Sequence, residues 1–215
     1  MEALFTRGLL SDFLREKQAE AIDAVRRQTI LSSSQDDAAL IERIVNDHTP
    51  CVPTVHWDQS QWSTEDTLIP PEKVRHLMNA TSPVPGTAYV WRVPFEGDPA
   101  LFRYKPNSFT TVFPRARVEK GCLIFRFEYP SGGMSEEELA QLVEQHRSYQ
   151  RALVDDYLLW VREQVKQYRE QLIREVSDAL ARRKQELAQR QSVLDRLQQG
   201  TARQEERDPG STPSP

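Results

Sequence analysis

Apolar residues recur at helical spacing toward both ends of the chain and at strand spacing in its middle. That contrast predicts the architecture. Phe13, Leu14, Ala21, Val25 and Leu31 supply a rough helical stripe over residues 9–31, and Ser11 is placed to cap it. Ser32, Ser33 and Ser34 interrupt the pattern. Asp36 or Asp37 then opens a second, shorter helix with Leu40, Ile41, Ile44 and Val45 on one side. This helix must stop before Thr49 and Pro50, because the residue preceding a proline is pushed out of helical geometry.

From residue 50 to 130 the pattern changes to short β-like runs between turns. Val52–Trp57, Thr87–Val93 and Thr110–Phe113 are candidate strands. Arg115–Glu119 and Cys122–Tyr129 read as a hairpin around Lys120 and Gly121, with Leu123, Phe125 and Phe127 on one face and Cys122, Ile124 and Arg126 on the other. Residues 70–77 hold a short helix with proline in its first turn.

Pro130, Ser131, Gly132 and Gly133 make a break, and Ser135 to Glu138 then forms a capping-box pattern. No glycine or proline occurs from Glu136 to Gln199, and Gly200 fits a helix stop. Read as one helix, the stretch spans roughly 95 Å at ~1.5 Å per residue. Leu139, Leu142, Val143, Tyr149, Leu153, Tyr157, Trp160, Val161, Val165, Tyr168, Leu172 and Val176 form its stripe. Ile173, Leu180, Leu187 and Leu194 follow at seven-residue spacing, with Arg183 and Arg190 at alternate core positions, which gives the end a weak coiled-coil character. A helix this polar is not held by propensity alone. Its stripe must pack on the β unit, on the N-terminal helices or on another chain.

The expected fold is therefore α+β: an N-terminal helical segment (1–49), a small antiparallel β-rich unit (50–130), a very long C-terminal helix (131–200) and a disordered tail (201–215). Composition agrees. The chain of 215 residues is 38% hydrophobic, with a mean hydropathy of −0.64, so much of it must be solvated. A net charge of −4 argues against a general nucleic-acid binder. The two cysteines, Cys51 and Cys122, make no disulfide framework and are expected to be small buried residues in a reducing compartment. The start Met1–Phe5 does not resemble a signal peptide, lacking a basic flank and a long apolar run, and no apolar run approaches the ~20 residues of a membrane span. The expected location is cytoplasmic, with no membrane partner.

Candidate chemistry is sparse. His48, Cys51 and His56 lie close together but match no metal-ligand spacing. Cys51 with His56 lacks a third, orienting residue for a nucleophile–base set, yet the pair defines the hydrolase alternative. Phosphate-cradling glycine motifs are absent, and no cofactor is implied. The most distinctive segment is residues 93–106. There Phe95, Glu96, Asp98, Phe102, Arg103, Tyr104 and Lys105 alternate aromatic rings with charge around Gly97 and three prolines. It reads either as a recognition loop or as a structural corner whose rings complete the β core. Arg182, Arg183, Lys184, Arg190, Arg196, Arg203 and Arg207 make the end of the long helix locally basic, with acids interleaved.

Residues 93–108, Phe113–Val118, Leu123–Phe125 and the long helix with Arg182, Arg183 and Lys184 together resemble an uncharacterised bacterial module. That module is associated with the region upstream of effector domains of the TIR or restriction-endonuclease-like type. The resemblance spans roughly residues 85–197 and carries no catalytic residues with it. Here only a polar tail follows Gly200. The resemblance therefore implies a sensor or regulatory part of a defence-type system without its effector, acting alone, serving an effector on another chain, or truncated. The expected function is a non-enzymatic interaction and oligomerisation protein that engages a protein partner or a second copy. Residues 93–106 would be its recognition surface, and Trp160, Val161, Val165, Tyr168, Leu172 and Val176 its assembly stripe. The alternative is a nucleic-acid-associated regulator using the basic end of the helix.

Overall fold

A computed structural model describes residues 1–27, 36–74, 81–107, 110–132 and 134–205, with side chains through Gln198. In chain order its elements are β1 (Glu2–Ala3), β2 (Gly8–Leu9), α1 (Leu10–Arg26), α2 (Asp37–His48), β3 (Thr54–Val55), β4 (Gln61–Ile69), α3 (Pro71–Val74), β5 (Val84–Glu96), β6 (Tyr104–Lys105), β7 (Arg115–Glu119), β8 (Cys122–Pro130) and α4 (Glu136–Glu205). The fold is α+β, with an antiparallel sheet and a long C-terminal helix. The expected ends of the first helix beyond Arg27, of the short helix beyond Val74, and of the tail from residue 206 lie outside the described residues.

Six strands form the main sheet in the order β1-β7-β8-β5-β3, with β4 also on β5. All its pairings are antiparallel. The β7–β8 hairpin is the one predicted, and Lys120 and Gly121 both take positive φ at its turn (50° and 75°). The strand expected over Thr87–Val93 extends to Val84 and Glu96, and that over Val52–Trp57 shrinks to Thr54–Val55. Residues 110–113 are not a strand. In place of a ladder, Val112 offers its carbonyl to the Tyr157 hydroxyl at 3.0 Å. Strand β4 was not predicted. It is a polar edge strand, exposed along most of its length, and so lacks the apolar alternation that marks a half-buried strand.

The chain divides into two compact units. The first comprises Met1–Lys17 and Thr49–Tyr168, the second Gln18–His48 and Arg169 onward. In the first unit alternation along β5 and β8 separates two chemistries. Trp91, Val93 and Phe95 of β5 and Leu123, Phe125, Phe127 and Tyr129 of β8 are buried, and the first half of α4 covers their face. Hydrogen bonds hold that helix at four points along it: His146 to Tyr129 (2.6 Å), Gln150 to the Arg115 amide (2.8 Å), Asp155 to Trp57 (2.9 Å) and Gln164 to the Asn107 amide (3.0 Å). Helix α4 starts as its sequence dictates. The Ser135 hydroxyl accepts from the Glu138 amide, and the Glu138 carboxylate accepts from the Ser135 amide at 2.8 Å. That second bond, with help from the Ser135 side chain, holds the Glu138 carboxyl below its ordinary pKa.

In the second unit Ala21, Val25, Leu40, Ile44, Val45, Leu172, Val176 and Leu180 are buried. Polar pairs rim them: Gln18 with Glu175, Arg169 with Asn46 at 2.8 Å, and Lys184 with Asp37 at 2.6 Å. Among the described residues no helix is long and apolar enough to cross a membrane.

Candidate functional site

The helix-covered face of the sheet carries a column of indoles. Trp62 of β4 stacks on Trp91 at 5.7 Å, and Trp91 stacks on Trp57 at 5.2 Å. From α4, Arg147 lies over Trp91 at 5.8 Å and Arg151 over Trp57 at 5.5 Å. Each such cation–π contact contributes about 0.5–2 kcal/mol, more where water is excluded. Trp91 is 1% exposed, so this alternation of arginine and tryptophan is a joint between sheet and helix and not an open stacking platform. Beside it, Trp62 and Tyr89 with Leu139 and Val143 line a shallow groove of about 580 Å³ that carries Glu136 and Glu144.

The opposite face is concave. There a recess of about 470 Å³ has Val90 and Ile124 in its lining, both nearly buried. Five arginines surround it: Arg7 from the segment joining β1 and β2, Arg92 from β5, Arg103 ahead of β6, Arg117 from β7 and Arg126 from β8. Only two carboxylates, Glu2 and Glu65, share the lining. Arg92, Arg117 and Arg126 converge because they occupy the outward positions of adjacent strands. Arg92 and Arg117 are both registered against Ile124, and Arg126 against Val90.

Three of the five are neutralised. Arg7 pairs with Glu2 at 3.1 Å, Arg117 with Glu119 at 3.7 Å, and Arg126 with Glu65 and with Glu128 at 2.8 Å. The bond to Glu128 is the largest influence holding the Arg126 pKa above its ordinary value. Glu128 is in turn held below the ordinary carboxylate range, first by its hydrogen bond from Lys73 and then by Arg126. Among the described residues, the guanidinium groups of Arg92 and Arg103 have no carboxylate partner.

The predicted recognition segment is mostly a corner. Phe95 and Phe102 are 7% and 1% exposed and meet edge to face at 4.9 Å. The Asp98 carboxylate caps the 3-10 turn Pro99–Phe102 by accepting from the Ala100 amide at 2.8 Å. Tyr104 stacks on Phe13 at 4.6 Å, and Lys105 lies over Phe113 at 5.6 Å. Gly97 has φ 104°, and a Cβ there would lie 2.9 Å from Pro53 Cα, so the corner demands glycine. Glu96 is exposed near His56 (3.8 Å), and Arg103 alone joins the arginine recess. Sequence reasoning missed Arg7, Arg92, Arg117, Arg126 and Glu65. The usable signal was arginine at alternate strand positions opposite buried residues.

Cys51 is exposed and Cys122 half-buried, so neither is the fully buried small residue expected. Cys51 is exposed because it leads into the corner, where its carbonyl accepts from the Asp98 amide at 2.8 Å. No group of three His, Cys, Asp or Glu able to hold a metal occurs among the described residues.

Of the predicted assembly stripe, Trp160 is half-buried. Val161, Val165, Tyr168, Leu172 and Val176 are buried within the single chain. They are core positions of one molecule, and they face a second copy only if the fold opens. Farther along α4, Val193 and Leu194 are 56% and 52% exposed. In the basic segment Arg183 pairs with Glu186 at 3.2 Å and Lys184 with Asp37, which leaves less unpaired positive charge than the composition implies. The side chains of Arg203 and Arg207 lie outside the described residues. Compared with known protein families, curated proteins and solved structures, the chain matches none.

Proposed function

We propose that the chain is a non-enzymatic interaction protein that self-associates through the distal part of α4. The observation that carries this reading is the exposure of Leu194, with Val193 beside it, at the end of a seven-residue apolar repeat that runs from buried Leu180 through half-buried Leu187. An apolar seam on a lone helix is stable in water only when something covers it.

The occupant that fits is a second copy in antiparallel orientation. A parallel copy would set Arg190 against Arg190, a like-charge contact at a core position. An antiparallel copy sets Arg190 against Leu187 and within reach of Glu186, an opposite-charge arrangement.

The test is absolute mass by light scattering on the full chain and on Leu187→Gln/Leu194→Gln, with helicity measured on both. A dimeric chain that becomes monomeric in the variant, at unchanged helicity, supports the reading. A monomeric chain at every concentration overturns it, and so does a variant of unchanged mass.

A further inference from the structure

We propose that the arginine-rimmed recess on the outer face of the sheet binds a small organic phosphate bearing several negative charges, such as a nucleoside polyphosphate. Its geometry suits a small molecule. A volume of about 470 Å³ falls within the ~300–1,000 Å³ range of ligand pockets. Met1, Ala3 and Val118, exposed or half-buried in the same lining, supply apolar surface for an organic moiety.

Charge points to an anion. Five guanidinium groups meet Glu2 and Glu65 in one concavity. With Glu119 and Glu128 paired to Arg117 and Arg126 from beside it, a positive excess still remains, on a chain whose net charge is −4. The excess is therefore local and is not a reflection of composition. Arg92 and Arg103 hold cations at the recess without a carboxylate among the described residues, whereas Arg7, Arg117 and Arg126 are already paired. An arginine held without a partner beside other arginines is repelled by them, and a bound anion removes that repulsion. Guanidinium groups also present paired N–H donors that match phosphate oxygens.

The distribution over the fold favours several phosphoryl groups over one. The two unpaired arginines come from separate elements, Arg92 from β5 and Arg103 from the turn ahead of β6, so two phosphoryl groups of one ligand can each meet a guanidinium. The paired Arg7, Arg117 and Arg126 keep further N–H donors for the remaining oxygens. Nucleic acid fits less well. A polymer needs a basic track that continues past its binding site, and here Glu2, Glu65, Glu119 and Glu128 interrupt the same face.

The test is calorimetric titration of the full chain, at low salt, with inorganic pyrophosphate, ATP and a single-stranded oligonucleotide. The variants are Arg92→Ala, Arg103→Ala and the pair. Neither residue holds an ion pair among the described residues, so thermal midpoints without ligand should match the parent and separate lost binding from lost folding. We expect one ATP per chain, with affinity falling roughly tenfold for each single variant and further for the pair. Pyrophosphate should bind more weakly than ATP, because it leaves the apolar surface uncovered. Absence of ATP binding overturns the proposal, as does equal affinity in the double variant. An oligonucleotide that binds more tightly than ATP also overturns it, in favour of a nucleic-acid surface.

Discussion

The ring of Phe5 lies nearly parallel to that of Tyr157, 4.6 Å between centroids and 15° between planes. Phe5 is fully buried, yet its φ is 58°, a left-handed conformation that costs a non-glycine residue about 1–2 kcal/mol. The surroundings hold it there. Its amide donates to the Phe102 carbonyl at 2.6 Å, and the amides of Leu4 and Arg7 donate to Pro114 and Arg103 at 2.9 and 2.8 Å. Phe5→Ala is expected to destabilise the first unit by about 3–5 kcal/mol. Urea denaturation followed by tryptophan fluorescence measures this, and a midpoint near that of the parent would show that the ring carries little of the packing.

Gly86 sits inside β5, where glycine ordinarily weakens a strand. A Cβ at this position would lie 2.5 Å from the Tyr129 carbonyl oxygen and would also collide with Ile69 Cδ1. Ile69 can turn aside, but the paired backbone of β8 cannot. Gly86→Ala is therefore expected to cost about 1–3 kcal/mol, even though alanine suits an extended chain better than glycine does. A thermal midpoint equal to or above that of the parent would mean that β5 and β8 separate freely there.

Burial, with a smaller contribution from Tyr89, pushes the Tyr129 phenol up to about 12. Below about pH 10 the group is protonated in both states and adds no pH dependence. Between about pH 10 and pH 12 the unfolded phenol ionises while the folded one does not, so the folded state binds more protons and stability falls as pH rises. Tyr129→Phe should flatten this alkaline decline and slightly weaken the protein at neutral pH, where the 2.6 Å contact with His146 is lost. Chemical denaturation from about pH 8 to about pH 11.5 compares the two slopes, and identical slopes would place the alkaline transition elsewhere.

Leu172 and Val176 are both fully buried, so an aspartate at either position places a charge in an apolar interior. Leu172→Asp is expected to remove more than about 3 kcal/mol. It should lower helicity and the unfolding temperature together. A variant that keeps its helicity and loses only mass would return these residues to the intermolecular role that their spacing first implied.

Residues legible in the sequence were those whose neighbours are local. Ser135 and Glu138 bond to each other, so the start of α4 is written in four residues. The β7–β8 turn is likewise set by Lys120 and Gly121. Burial of the 160–176 stripe was also readable, but what covers it was not, because helical spacing is the same whether the partner is the same chain or another. Strand β4 stayed hidden since its ladder with β5 uses backbone groups that every residue carries. The arginine recess was invisible for a related reason: Arg92, Arg117 and Arg126 meet through strand register, and no local motif encodes register.

The stacking of Phe5 on Tyr157 bears on the order of events during synthesis. About 150 residues separate the two, and at ~5–20 residues per second a ribosome takes roughly ten to thirty seconds to cover that distance. Throughout that interval the ring of Phe5 lacks the helix residue that it stacks on. This segment is thus among the last parts of its unit to reach native packing, and it stays available meanwhile to a chaperone that binds short apolar segments.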